Sequence, residues 1–380
     1  MDIEEIRQLI LNSEIPLVFK DVLKCELLLW DLNDWNSILK NQPLEFRCGK
    51  NYYTKTPQYE TSTKKIVATF QEFLNHLIQD SPEWWYFDYK YLREWFTQVH
   101  ALTNKISWGR LGFPEISATD TTIWIGSQGA HTCCHVDTYG CNLVYQVFGR
   151  KLWIMFPPDE NLQPTRIPYE ESSVYSKLNF FSPNPEDFID SDRCRKVIIN
   201  PGEVLFVPHK WWHYVENLET SVSINVWLPL PEDKAEQVKE AVAQILVSQL
   251  SQSCDSDLKT SIFNPNMLNA IPSCDHLIQL VDMCLNNVAS ESFSKLKKTR
   301  ITENSVKFFL NKYKFIARIP QLRREEFRAF LEEQAGRFEN PENKDMSDTE
   351  AVNSRILNFI DVLMDDDVLT LISSKLAERR

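Results

Sequence analysis

The pattern of hydrophobic and polar positions changes twice along the chain of 380 residues. Residues 1 to about 115 mix helical and extended patterns, and the next segment, up to residue 230, consists of short runs rich in β-branched and aromatic residues. After residue 230 the apolar residues recur with helical spacing. We therefore expect three regions, 1–115, 116–230 and 231–380, with a flexible acidic linker at 339–350, where hydrophobic residues are few.

Two elements stand out in the first region. The run EIPLVFKDV, residues 14–22, predicts a buried strand. Residues 64–80 predict a helix, because five apolar side chains fall on one helical face: Ile66, Phe70, Phe73, Leu74 and Leu77. This region is therefore expected to be a mixed helix-and-strand part of the fold.

The middle region predicts a series of short strands joined by turns. Gly149 marks one tight turn, and the pair Pro157 and Pro158 ends a strand. The predicted strands lie at 121–127, 142–148, 151–156, 196–200, 203–208, 211–218 and 221–230. So many short strands favour a sandwich or barrel, and we expect a mainly β core of the jelly-roll or cupin type, a double-stranded β-helix.

The third region predicts helices. Helical spacing is clearest at 234–250, 305–319, 324–338 and 352–364. The last of these places Ile356, Phe359, Ile360 and Leu363 on one apolar stripe, which must be buried against another surface.

Composition limits the function classes. The net charge of -12 makes a nucleic-acid partner unexpected, because phosphate binding depends on Lys and Arg. The N-terminus lacks the basic start of a signal peptide and no apolar run is long enough for a membrane span, so we expect no membrane association. Nine scattered Cys without CxxC pairs favour a reducing compartment, the cytoplasm or alternatively the nucleus.

The candidate chemistry begins with His135 and Asp137. Residues i and i+2 of an extended segment point to the same side, so the imidazole and the carboxylate aim at one point. His213 lies on a later predicted strand, and closure of a barrel can bring it opposite the pair. Two His and one carboxylate that leave coordination positions open are typical of non-haem Fe(II) oxygenases. An HxD pair alone is weak evidence, and the surrounding strands strengthen it.

Two further side chains have alternative interpretations. His131 lies four residues before His135, a spacing that suits a zinc pair on a helix, but the flanking β pattern argues against a helix and favours a structural or supporting role. Lys151 begins the predicted strand 151–156 and could point into the barrel, where a buried ammonium would need an anionic partner. The alternative for Lys151 is an exposed strand end.

At this point the sequence resembles the JmjC branch of the cupin oxygenases. The resemblance covers about residues 14 to 230 and depends on the runs AHTCCHVDTYGCNLVYQVFGRKLWIMFPP (130–158) and PGEVLFVPHKWWHYVENLETSVSINVWL (201–228). Within that branch the sequence is similar to the small hydroxylases, among them the asparaginyl hydroxylase of hypoxia-inducible factor. The run PTRIPYEESSV (164–174) brings it closer to the JmjC proteins associated with a small heat-shock protein.

The resemblance implies a set of roles. His135, Asp137 and His213 match the ligands of Fe(II), and Lys151 matches the lysine that pairs with the distal carboxylate of 2-oxoglutarate. Further residues match the co-substrate pocket: Thr132, Asn142 and Asn225. The implied activity is a 2-oxoglutarate-dependent dioxygenase, a protein hydroxylase or demethylase-type oxygenase, with Fe(II) as cofactor.

Three hypotheses remain open at the level of the sequence. The first is the active oxygenase acting on a protein or nucleic-acid side group, and the second is a catalytically weak JmjC scaffold that binds a small heat-shock protein. The third is a cupin enzyme of another class with a different metal, which would not need Lys151. For the C-terminal stripe we expect burial within the chain first, homodimerisation second and docking of a small heat-shock protein third.

Overall fold

The computed structural model of the protein describes residues 2–39, 41–103, 105–267, 272–289, 300–339 and 348–379. Its helices are α1 (Ile3–Asn12), α2 (Leu32–Leu39), α3 (Phe70–Leu77), α4 (Leu92–Trp95), α5 (His100–Thr103), α6 (Asp233–Ser251), α7 (Ser256–Ile262), α8 (Cys274–Ala289), α9 (Glu303–Lys312), α10 (Arg324–Ala335), α11 (Asp348–Leu363) and α12 (Asp366–Glu378). Its strands are β1 (Leu17–Lys20), β2 (Leu44–Lys50), β3 (Lys64–Ala68), β4 (Glu83–Tyr91), β5 (Thr122–Gly126), β6 (His131–Asp137), β7 (Cys141–Phe148), β8 (Lys151–Phe156), β9 (Pro164–Thr165), β10 (Ser173–Ser176), β11 (Arg195–Ile199), β12 (Glu203–Val207), β13 (Trp212–Asn217), β14 (Ser221–Leu228) and β15 (Ile316–Arg318). None of these helices is both long and apolar enough to cross a bilayer.

The strands form two antiparallel sheets packed as a sandwich. The larger sheet has the order β15-β1-β12-β7-β14-β5-β4-β2-β3, and the smaller has the order β11-β8-β13-β6-β10-β9. Every strand predicted in the middle region is present within a residue or two of its expected bounds. The predicted cupin-type β core, with helices before and after it, is therefore confirmed.

Alternation along the strands of the smaller sheet decides which side chains enter the barrel. On β8, Trp153 and Met155 join the main core, whereas Leu152, Ile154 and Phe156 pack outward in a second apolar cluster. That outer cluster includes Phe327, Phe330 and Leu331 of α10, so both faces of the sheet are covered. Lys151 is in phase with Trp153 and Met155 and points inward, because side chains two residues apart share a face.

The helix predicted over 64–80 is wrong in its first third. Residues 64–68 form β3, which pairs with β2 and includes Ile66, and the helix α3 begins only at Phe70. Thr69 prevents the helix from beginning earlier, because its side chain accepts a hydrogen bond from the Glu72 amide while its own amide donates to the Glu72 carboxylate. The other four predicted residues lie on α3 as expected.

The helix predicted over 305–319 is also only partly correct. α9 ends at Lys312, and residues 316–318 form the edge strand β15, which pairs with β1. This pairing satisfies the backbone of an otherwise unprotected sheet edge, and tertiary contact here overrides the helical spacing. The helices predicted at 234–250, 324–338 and 352–364 are present as α6, α10 and α11.

The C-terminal helices have their own apolar core, formed mainly by α6, α7, α8, α11 and α12. On the part of α11 whose burial is described, Ile360 is buried, and so is Met364 directly after the helix, whereas Phe359 is 62% exposed and Ile356 is 37% exposed. The predicted stripe therefore enters the chain's own core only in part, because the buried face is rotated toward Met364. The linker predicted at 339–350 lies largely outside the described residues, and the three-region division stays a prediction.

A buried ion pair joins the segment 164–177 to the C-terminal helices. Arg166 donates two hydrogen bonds to Glu240 of α6, at 2.8 and 2.7 Å, and the two side chains are only 6% and 3% exposed. Glu240 also accepts from the Ser172 amide at 3.1 Å, and Asp361 of α11 accepts from the Arg166 amide at 2.6 Å. The segment is therefore fixed to α6 and α11.

We predict that Glu240→Ala destabilises the protein by about 3–5 kcal/mol, because it leaves the Arg166 guanidinium buried without a partner. Urea unfolding measures the free energy of unfolding. Removal of both charges in Arg166→Met/Glu240→Leu should restore most of the loss. Glu332→Ala, at a carboxylate that is 58% exposed, serves as the control and should unfold like the unaltered protein. A Glu240→Ala protein as stable as this control would contradict the prediction.

Candidate metal centre

Three side chains converge at one point inside the barrel. His135 and Asp137 extend from β6, and His213 lies directly opposite His135 in the antiparallel pairing of β6 with β13. The Nε2 atom of His135 is 3.5 Å from one Asp137 oxygen, and the Nε2 atom of His213 is 3.9 Å from the other. Among the described residues this is the only group of three with the spacing of metal ligands.

Backbone carbonyls orient both imidazoles. The Nδ1 atom of His135 lies 2.9 Å from the Cys133 carbonyl, and that of His213 lies 2.9 Å from the Trp211 carbonyl. An Nδ1–H that donates to a carbonyl leaves the lone pair on Nε2, which is the tautomer that a metal requires. Trp227 donates its Nε1–H to Asp137 at 2.9 Å and fixes the carboxylate.

The electrostatics of the group favour a cation. Burial would raise the pKa of Asp137, but its contact with His135 and the charge of His213 outweigh burial and hold this pKa at about 2. Burial, followed by the nearby charge of His135, lowers the pKa of His213 to about 4. Near neutral pH the site therefore offers an ionised carboxylate and an uncharged imidazole at His213.

A small cavity of about 30 Å³ lies beside His135 and His213, and all four predicted co-substrate residues border it: Thr132, Asn142, Lys151 and Asn225. Thr132 enters the barrel because the pairing of β6 with β13 shifts by one residue between His213 and Val215. Such an irregularity reverses the alternation of the strand. Without it, Thr132 would face away from His135.

Lys151 is buried, with 2% exposure, and its ammonium donates to the Tyr86 hydroxyl at 3.1 Å and to the Ser223 hydroxyl at 2.9 Å. No carboxylate of the described residues forms an ion pair with it. Burial lowers the pKa of Lys151 to about 7, which the negative charge of Asp88 only partly opposes. The cavity thus contains the amino group of Lys151, whose hydrogen-bonding partners are all uncharged.

The two amides beside Lys151 are incompletely hydrogen-bonded. The side-chain oxygens of Asn142 and Asn225 are buried and have no partner. Such atoms cost free energy unless water or a ligand meets them. The sequence analysis missed Tyr86 and Ser223, whose hydroxyls contact Lys151. If Lys151 is taken to point inward, a search of the other strands for polar side chains on the inward face could have found Ser223.

The comparison with family models decides the family. The model described as "Cupin-like domain" matches residues 4–233. The chain belongs to this family. The match includes every strand except β15, and it includes the three converging side chains and the Lys151 cavity.

The relatives of this cupin-like protein are similar over most of its length. HSPB1-associated protein 1 of Homo sapiens is 36% identical over 324 residues, which cover 79% of this chain and 64% of the human protein. HSPB1-associated protein 1 of Bos taurus is 35% identical over 335 residues, covering 82% and 69% of the two chains. Lysine-specific demethylase JMJ30 of Arabidopsis thaliana is 27% identical over 210 residues, covering 52% and 46%.

His131 and the Trp side chains near His213 differ in how they relate to the candidate metal centre. His131 is 1% exposed and stacks on Phe181 with 4.2 Å between ring centroids, and burial lowers its pKa to about 3. It belongs to the core and not to the candidate ligand set. Of three Trp near His213, Trp227 borders the cavity, whereas Trp211 and Trp212 belong to apolar clusters.

A wider cavity of about 320 Å³ leads from solvent to His135 and Asp137. Its walls come from the loop after β2, from the end of β4, from residues 170–175 and from the start of α6. Trp227 borders both this entrance and the inner cavity. His135 also borders both cavities, whereas Asp137 borders only the entrance and His213 only the inner cavity.

We predict that the protein binds one Co(II) ion per chain, Co(II) serving as a stable substitute for Fe(II), and that His213→Ala lowers the affinity by about 100-fold or more. Titration calorimetry and the visible absorption of Co(II) measure the binding. His131→Phe is the matched control, because it removes a buried imidazole that is not a ligand. Equal loss of affinity in the two variants would contradict the assignment.

Proposed function

We propose that this protein is an Fe(II)- and 2-oxoglutarate-dependent dioxygenase that oxidises a side chain of a protein substrate. The observation that carries the proposal is the position of Lys151, a buried cation without a carboxylate partner, in the cavity that His135 and His213 also border. Neither the buried Lys151 alone nor the candidate metal ligands alone would favour this chemistry over that of other cupin proteins.

The donor set suits Fe(II). Two imidazole nitrogens and one carboxylate oxygen on one side of a metal form the facial arrangement of non-haem iron oxygenases, and they leave positions for other ligands. The three side chains come from two adjacent strands and would together hold the ion. The inner cavity and the entrance both border these side chains and would give other ligands access to it.

The polar groups that line the inner cavity suit a carboxylate. A buried ammonium without a counter-ion is costly, and an incoming carboxylate would form a charge-assisted hydrogen bond with it. The hydroxyls of Tyr86 and Ser223 hold the ammonium in place for that contact. The unpartnered oxygens of Asn142 and Asn225 can accept hydrogen bonds from water or from a ligand beside it.

In this proposal His135, Asp137 and His213 hold iron, while Lys151 and Thr132 bind the distal carboxylate of 2-oxoglutarate. Iron and 2-oxoglutarate together would supply dioxygen activation driven by oxidative decarboxylation. The protein positions the co-substrate, and the aromatic walls at Trp153 and Trp227 exclude bulk water. Trp227 also keeps the Asp137 carboxylate aimed at the metal position.

The relatives support an oxygenase with a protein substrate. JMJ30 and JMJ31 of Arabidopsis thaliana are both named lysine-specific demethylases, at 27% and 31% identity over parts of the chain. A protein hydroxylase or demethylase-type reaction is therefore the form of the activity that we propose here.

We predict that the Fe(II)-loaded protein converts 2-oxoglutarate into succinate even without a substrate, at a slow uncoupled rate, and that Asp137→Ala abolishes this. Lys151→Met should keep metal binding but raise the KM for 2-oxoglutarate by about 100-fold, because the charge-assisted contact is lost. Succinate is measured by mass spectrometry.

Lys196→Met is the matched control, since Lys196 is on β11, next to β8, and contacts Phe330 outside the barrel. It should leave the KM unchanged. If Lys151→Met turned over 2-oxoglutarate with an unaltered KM, the co-substrate assignment would be wrong, and another class of cupin enzyme would be favoured.

A second candidate function is a scaffold that binds a small heat-shock protein. It is favoured by the relatives named HSPB1-associated protein 1, although this chain covers less than two thirds of the human protein. If this protein binds a small heat-shock protein independently of the metal, we predict that the Asp137→Ala variant still co-precipitates with HSPB1. Binding that disappears together with the metal would contradict a scaffold that works independently of the site.

A further inference from the structure

Two short connections flank the candidate metal ligands along the chain. The connection 138–140 follows Asp137 and leads from β6 to β7, and the connection 208–211 precedes β13, which includes His213. The second connection also orients His213, because the Nδ1 atom of this side chain lies 2.9 Å from the Trp211 carbonyl. The positions of Asp137 and His213 relative to each other therefore depend on how the two connections are held.

Strand pairing leaves Asp137 beyond the end of the ladder between β6 and β13. The last pair of these two strands is His135 with His213, and Asp137 lies two residues farther along β6. β10 pairs with Asp137, through Ser173, on the other side of β6. Contacts of the connection that follows Asp137 therefore contribute to its position relative to β13.

The backbone of Gly140, in the first connection, has a partner for each of its polar groups. The Nδ1–H of His209, in the second connection, donates to the Gly140 carbonyl at 3.0 Å. The carboxylate of Asp233, the first residue of α6, accepts from the Gly140 amide at 2.8 Å, and its other oxygen accepts from the Leu230 amide at 2.8 Å. The two connections are thus linked to each other and to α6.

Gly140 is packed closely against its surroundings. Its φ of +63° lies in the left-handed region that favours glycine. A side chain here would place its first carbon 2.5 Å from the carbonyl oxygen of Leu228, at the end of β14. Asp233, which holds the Gly140 amide, is only 7% exposed. The hydrogen bond from His209 therefore acts on a peptide whose other contacts are fixed, and it defines the distance between the two connections.

We infer that His209 is a positioning residue of the candidate metal centre, which acts through the Gly140 peptide to hold Asp137 and His213 at the separation that one shared ion requires. This inference rests on the proposed function, because it takes both side chains as ligands of one metal. His209 is not a member of the ligand group, and it borders a separate cavity of about 360 Å³ whose described lining includes none of the three ligands. Its loss would change the geometry of the site without removing a ligand.

The test changes the side chain at position 209 of the full-length protein and measures Co(II) binding by titration calorimetry. His209→Leu removes the donor, whereas the amide of the His209→Asn variant can donate from nearly the place of Nδ1. We expect His209→Leu to bind Co(II) about tenfold more weakly, and His209→Asn to stay within about twofold of the unaltered protein. The visible absorption of bound Co(II) should also change in His209→Leu, because it depends on the arrangement of the ligands.

His100→Leu is the matched control, because it makes the same replacement at an exposed imidazole on α5, and it should bind Co(II) like the unaltered protein. Urea unfolding of the metal-free variants separates positioning from stability. A purely structural His209 would lower the free energy of unfolding without lowering the Co(II) affinity of the folded protein. Equal Co(II) affinity in His209→Leu and His100→Leu overturns the inference, and so does an equal loss of affinity in His209→Leu and His209→Asn.

If His209→Leu fails to fold, His209→Gln decides. The amide of that variant lies one bond farther from the backbone, at the distance of Nε2, so its contact with the Gly140 carbonyl is lost while a polar side chain of similar size remains. It should also bind Co(II) about tenfold more weakly than the unaltered protein. An unchanged affinity in His209→Gln would overturn the inference.

Co(II) binding does not require turnover. If the proposed oxygenase activity fails, succinate formation is absent while the order of the Co(II) affinities stays as expected. If the present inference fails, His209→Leu binds Co(II) like the unaltered protein, whether or not 2-oxoglutarate is converted. An unaltered protein that binds no Co(II) would overturn both.

Discussion

The register between β6 and β13 is the constraint on which the rest of this structure depends. It places His213 directly opposite His135, and the period of two along β6 adds Asp137 to the same face. A slip of one residue would turn these side chains out of the barrel and bring Trp212 or Val136 inward. Because β13 also pairs with β8, the same register determines where Lys151 lies relative to the three ligands. Covered faces on both sides of the sheet make such a slip costly.

The entrance depends on a second set of interactions, formed with the C-terminal helices. The segment that carries Glu170 is fixed by the ion pair of Arg166 with Glu240, and Asn264 and Asn266 follow α7. The helical region therefore contributes to the wall of the entrance cavity as well as to its own core. In the proposed function, the β core would hold the metal and the co-substrate.

The β core could be predicted from local periodicity, and the pair His135 and Asp137 from the spacing within HVD. The position of His213 opposite them depends on long-range strand pairing, and it was expected from barrel closure and from the family resemblance. The sequence did not predict β15, whose helical spacing is overridden by pairing with β1, or the start of α3 at Phe70. Partners across the barrel, such as Tyr86 for Lys151, depend on strand order, which local patterns do not encode.

The most direct test of the account is an anaerobic titration of the Fe(II)-loaded protein with 2-oxoglutarate, followed by visible absorption. If the co-substrate binds the metal, a metal-to-ligand charge-transfer band should grow and saturate at one equivalent per chain. Lys151→Met should shift the titration to much higher concentrations without removing the band. An Fe(II)-loaded protein that shows no such band at any concentration of 2-oxoglutarate would contradict the assignment of both the metal and its co-substrate.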